Sequence, residues 1–371
     1  MKRKEYCPIM ASWQNEPNFK DGAQERVLVC MLASTRAHEL TFPSIKRHVL
    51  DELGADLALA LLINEPYDRS NPLWQSAKYR WASRDRVDFG EAYDEAQGWL
   101  CRKYDLAPPD WRVLLDTQGI WLGGIKSPNP QESRSSILPF CRWLLLRHLQ
   151  EENVLDRYDR FVITRSDFIW LCPHPPLSIL DRDSIWVPDG ENYDGVNDRH
   201  LVVSRAHVVD CLNLIEDILL RPAELRDEIK DCLWNNEQVF AQNLRRKNLL
   251  PRVKSFPYVM YTARPKYDKG PTWMWGYYEP TVGYFVKYPY EFRMACAYAS
   301  VIRSREDWER KGWVAFDPTN VKTPPSSLSL RFRHGCAKIF YRCVTEWHKP
   351  DHFRRYIRFA DRQLKRLLAG S

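Results

Sequence analysis

Val27-Leu28-Val29-Cys30-Met31-Leu32-Ala33, preceded by Arg26, constrains this chain more than any other segment. A run with no polar alternation cannot lie on a half-solvated sheet and reads as a parallel strand covered on both faces. Ser34-Thr35-Arg36 follows, then a helical pattern from about Leu40 to Leu53, then a second apolar run, Asp56 to Ile63. Strand, loop, helix and strand in this order make a βαβ opening. Ligands of such sheets collect beyond the carboxyl ends of the strands, which places Ala33, Ser34, Thr35 and Arg36 at a binding edge. Arg36 is a candidate phosphate or base contact, and a local pair with Glu39 is the competing reading.

A second strand core, Tyr158-Asp159-Arg160-Phe161-Val162-Ile163-Thr164, ends abruptly in Arg165-Ser166-Asp167. A buried strand that delivers a guanidinium and a carboxylate at its carboxyl end offers chemistry for a metal ion, a phosphate, or both. Before it, the amphipathic segment Ile137 to Gln150 reads as a helix packed on the sheet. Ser135 stands at that helix's amino terminus, where backbone donors face any nearby anion.

The stretch Asp189 to Arg199 carries Asp189, Glu191, Asp194 and Asp198 with two glycines. Carboxylates hold sugar hydroxyls well. A carboxylate can also act as the base for an attacking hydroxyl, and Glu191, Asp198 and Glu237 all qualify. Glu237 falls in the first turn of a helix capped by Asn235 or Asn236, where an acid is favourable on dipole grounds alone. His200 opens an apolar run and reads as structural. Trp273 and Trp275 sit in an aromatic, Gly-containing segment as candidate floors for an acceptor sugar, although most such rings fill cores.

Composition narrows the class. The apolar runs fall well short of the ~20 residues needed to cross a bilayer, and the basic N-terminus lacks an apolar signal region, so an intracellular, cytoplasmic chain is expected. The ten cysteines show no zinc or redox spacing and read as reduced thiols. No G-x-G-x-x-G follows the first strand, and the P-loop, G-x-S-x-G and H-E-x-x-H patterns are absent. The net charge of +7 is concentrated in residues 331–371, which hold 11 Lys and Arg against 3 Asp and Glu. This asymmetry argues against a basic nucleic-acid groove across the main domain. The tail reads as two amphipathic helices parted by Pro350, packed on the domain or resting against an anionic membrane.

Ala33-Ser34-Thr35-Arg36, Tyr158 to Phe168, Trp186 to His200, Phe256 to Arg264 and Val286 to Pro289 together resemble glycosyltransferases of the WavE type in lipopolysaccharide and polysaccharide synthesis. The resemblance covers about residues 25 to 315. It implies a GT-A-like α/β fold with a mostly parallel, mixed sheet flanked by helices, a nucleotide-sugar donor, a glycan or glycolipid acceptor, and Mn²⁺ or Mg²⁺ near Asp167. Residues 1–24 then form an extension, and 316–371 a linker and helical appendage. Ala33 to Arg36, Ser135, Arg165 and Ser166 are expected to bind the donor; Asp189, Asp194, Arg199, Trp273 and Trp275 the acceptor. Many GT-A enzymes present two acids as D-x-D, whereas Arg165 stands in the first place here. One carboxylate with diphosphate oxygens and waters can hold such an ion; alternatively, Arg165 takes over part of the cation's work. A plain Arg-Asp pair finishing a strand is the structural alternative. Two other classes share this chemistry: a metal-dependent nucleotidyl or phosphoryl transferase, and a carbohydrate- or membrane-binding protein without catalysis.

Overall fold

A computed structural model describes residues 25–310, except 132, 230–232, 266–275 and 281. The strands are β1 Val27–Ala33, β2 Asp56–Ile63, β3 Tyr79–Arg84, β4 Gln118–Gly119, β5 Arg160–Thr164, β6 Phe168–Trp170, β7 Ile185–Asp189, β8 Leu201–Ser204, β9 Leu233–Trp234, β10 Val253–Pro257, β11 Met260–Arg264, β12 Tyr277–Glu279 and β13 Tyr284–Val286. Seven of them form one sheet in the order β10-β7-β8-β5-β1-β2-β3. All run parallel except β8, which is antiparallel to both β5 and β7. The expected α/β fold with a mostly parallel, mixed sheet flanked by helices is thus the fold observed.

The reason lies in β1. Leu28, Cys30 and Leu32 enter one apolar cluster, with the helices Phe89–Tyr104 and Ile137–Glu151. Val27, Val29 and Met31 enter another, with Ile45, Val49 and Leu53 from the segment after β1. Alternate side chains of a strand point to opposite faces, so an all-apolar strand demands cover on both. The helix expected at Leu40 to Leu53 runs from His38 to Leu53 with a π turn at Lys46–Leu50. The helix expected at Ile137 is Ile137–Glu151.

A smaller sheet, β12-β13-β11-β6, leaves the main one where β5 ends. β6 pairs antiparallel with β11, Thr262 opposite Phe168, and β11 pairs antiparallel with β13, Ala263 opposite Val286. This register brings together residues about a hundred positions apart in sequence, beside Asp167. No helix among the described residues is long and apolar enough to cross a membrane. The basic tail, 331–371, lies outside the described residues.

Candidate active site

The site forms where β5 gives way to β6. The Ser166 hydroxyl donates to the carbonyls of Ser34 (2.7 Å) and Arg36 (3.1 Å). In return, Thr41 Oγ1 donates to the Ser166 carbonyl at 2.6 Å. The loop after β1 and the Arg-Ser-Asp turn are therefore one piece, as their common place at the carboxyl edge requires. Ser166, expected to touch donor, instead spends its hydroxyl on this junction. Arg36 is exposed at the rim, and Thr35 is buried against the Tyr67 hydroxyl at 2.9 Å.

Asp167 is 7% exposed. Its carbonyl accepts from Ala263 N at 2.9 Å, and its Oδ2 pairs with the Arg264 guanidinium. Oδ1 is buried with no hydrogen-bond donor among the described residues. Burial pushes this carboxyl up, but Arg264, Lys287, Arg165 and Arg36 outweigh it and bring Asp167 to about 2. Burial and then the neighbouring Arg264 lower Lys287 to about 7, against the pull of Asp167. Arg264 and Lys287 come from β11 and from the residue after β13, and the register of the small sheet carries both to the site. Neither stood among the expected site residues, although both lie in segments quoted for the family resemblance.

Arg165, half-buried, reaches Asp198 Oδ1 at 3.5 Å. Asp198 is held from behind by Arg142 of the helix Ile137–Glu151, whose Nη2 donates to its carbonyl at 2.6 Å. Glu237 adjoins it. Asn235 caps the helix Asn236–Arg246 through a capping box with Gln238, and Val196 N donates to the Glu237 carbonyl at 3.1 Å. Gly195 makes this approach feasible: a Cβ there would lie 2.2 Å from the Glu237 carbonyl carbon. Burial first, then the charge of Asp198, raise Glu237 to about 8, opposed by Arg199 and Arg165. Asn236 Nδ2 donates to the Ser135 carbonyl at 3.2 Å, which sets Ser135 against the same helix start.

The loop between β7 and β8 bends through left-handed conformations at Gly190, Glu191, Tyr193 and Asp194. Such conformations cost roughly 1–3 kcal/mol each for residues with a Cβ. Asp189 and Asp194 are exposed, and burial raises the Glu191 carboxyl, which bonds with Tyr193. Arg199, expected to contact acceptor, is 4% exposed and paired with Glu291. It lies over the Tyr288 ring at 5.0 Å and serves as an anchor for the loop. His200 is buried, 3.0 Å from Thr164 Oγ1, and burial holds it well below the usual imidazole range. It is structural, as its sequence context indicates. Trp273 and Trp275 lie outside the described residues.

Asp167 offers one carboxylate, already engaged by Arg264. Among the described residues no group of three or more His, Cys, Asp or Glu side chains could hold a metal ion. The cationic surroundings of Asp167 suit an anion better than a divalent cation.

No family model matches the chain. No curated protein matches it either. Among solved structures, a protein from Desulfovibrio desulfuricans G20, under the provisional name of nucleotide-diphospho-sugar transferase, is similar at 11% identity and a TM-score of 0.27, over 63% of this chain and 80% of its own.

Proposed function

We propose that this chain is a glycosyltransferase that takes a nucleotide-diphospho-sugar as donor and a glycan or glycolipid as acceptor. The observation that carries the reading is the convergence of Arg36, Arg165, Arg264 and Lys287 around Asp167, next to the carboxyl pair Asp198 and Glu237. A cluster of cations at the carboxyl edge of the sheet would neutralise the charge that develops on a departing diphosphate. A carboxylate close by accepts the proton of the attacking hydroxyl. The acceptor oxygen bonds to the anomeric carbon, the bond from that carbon to the diphosphate oxygen breaks, and the hydroxyl proton passes to Glu237 or Asp198. Asp189, Glu191 and Asp194 rim the acceptor side. The WavE-type pathway rests on the sequence segments alone, and the tail 331–371 is assigned a peripheral contact with anionic membrane on its charge pattern alone.

Nucleoside-diphosphate release from a panel of donor sugars, assayed with Mn²⁺, with Mg²⁺ and with chelator, tests the proposal. Release that depends on added acceptor supports it. Pyrophosphate release from nucleoside triphosphates with no diphosphate from any sugar donor transfers the site to nucleotidyl chemistry. Saccharide binding without turnover of either kind reduces the protein to a binding module.

A further inference from the structure

We infer that the donor's diphosphate is held in this site without a divalent cation, by Arg165, Arg264 and Lys287, with Asp167 as the internal anion that assembles them. The inference rests on the donor-site reading above and departs from the Mn²⁺ or Mg²⁺ that the family resemblance implies.

Three observations carry it. First, Asp167 has one oxygen already taken: Oδ2 is paired with Arg264, which leaves Oδ1 alone for a ligand, and the side chain is 7% exposed at the junction of two sheets. A Mg²⁺ or Mn²⁺ bound through one or two carboxylates keeps several waters, which calls for an open, wet position. Second, the other carboxylate at hand, Asp198, already has a counter-charge, because Arg165 reaches its Oδ1 at 3.5 Å. A divalent ion between the two acids would displace Arg165 or share its place. Third, the field at Asp167 comes from the guanidiniums of Arg264, Arg165 and Arg36 and from Lys287, an amine lowered to about 7 that a bound anion would hold protonated. These charges repel a metal ion and attract a diphosphate, and two of the donors are guanidinium forks matched to phosphate oxygens. The antiparallel register of β6, β11 and β13 fixes Arg264 and Lys287 in the fold before any ligand arrives, so little reorganisation is left for binding.

The test is calorimetric binding of inorganic pyrophosphate, UDP and GDP to the full chain after chelation, repeated with Mn²⁺. The expected result is binding after chelation within about threefold of that with Mn²⁺, which is under 1 kcal/mol. Asp167→Asn removes the anion that assembles the cations, so pyrophosphate binding weakens to the same extent after chelation as with Mn²⁺; a metal ligand would cost only the part of the binding that Mn²⁺ adds. Lys287→Met and the more exposed Arg165→Gln each weaken binding about tenfold or more, the loss of one charge-assisted bond. Circular dichroism confirms that each variant is folded, and Arg165→Gln serves if the buried Lys287 variant is not. Binding that needs Mn²⁺ and vanishes in Asp167→Asn overturns the inference and leaves the donor site standing. Binding after chelation that ignores both Arg165→Gln and Lys287→Met overturns the assignment of these cations. Absence of pyrophosphate and nucleotide binding with and without Mn²⁺ overturns the donor site itself.

Discussion

Glu291→Gln is expected to destabilise the protein strongly although it changes one atom. Glu291 is 0% exposed and accepts from Arg199 Nη1, from the Tyr258 hydroxyl at 2.9 Å, and from Thr262 N and Oγ1 at 2.8 and 2.9 Å. A glutamine has one acceptor oxygen. Its amide nitrogen must face either Arg199 and Tyr258 or the Thr262 N–H, donor against donor on either side. Arg199, itself 4% exposed, is then a buried cation without its counter-charge. Removing one partner of such a pair costs about 3–5 kcal/mol. At roughly 2–4 °C per kcal/mol, the melting temperature falls by about 6–20 °C. Thermal unfolding followed by circular dichroism at pH 7.5 reads the shift. Arg199→Met combined with Glu291→Gln recovers part of the loss, because the uncompensated charge is gone, and the double-mutant cycle gives the coupling. A fall below about 2 °C, or a double variant as unstable as the two losses added, refutes the claim that this pair anchors the β7–β8 loop.

Three further outcomes follow from the site and its supports. Glu237→Gln removes the carboxyl raised to about 8; if Glu237 is the base, activity rises with pH through that value in the parent and is lost in the variant at every pH. Gly195→Ala drives a methyl into the Glu237 carbonyl, separating Asp198 from Glu237, so kcat/KM falls while stability drops by only about 1–3 kcal/mol. Burial, chiefly, lowers His174 from 6.5 to about 4. The unfolded chain therefore binds a proton first, and stability present above pH 6.5 is lost as pH falls towards 4, by about 3 kcal/mol. Thermal melts between pH 7 and pH 4.5 show the decline, and His174→Phe removes the share that belongs to His174 while that of the buried His200 remains.

What the sequence discloses here follows the range of the interaction concerned. β1, β2 and the helix at Ile137 were legible because burial of a strand on two faces, or a helix on one, is written in adjacent residues. The turn Arg165–Asp167 was legible for the same reason, since polar residues after an apolar strand mark its carboxyl end. Arg264 and Lys287 were not, because their nearness to Asp167 is created by the pairing of β6 with β11 and of β11 with β13. Nothing within either segment records that register. Arg199 looked like a ligand contact from its acidic loop, and its true partner lies 92 positions on. The available signal was Glu291, an acid in the first turn after Pro289, but an acid there is also the ordinary preference of a helix start. Ser166 was placed at the right edge with the wrong duty, because spacing locates a hydroxyl along a strand without saying which carbonyl it faces.

The bond of one hydroxyl to two carbonyls at Ser166 has a mechanical consequence. Arg36 and Arg165 ride on a single stiff wall, and neither loop can swing outward alone. Any breathing that admits or releases a ligand must therefore fall to the opposite side, where the strained turn after β7 hangs from Arg199.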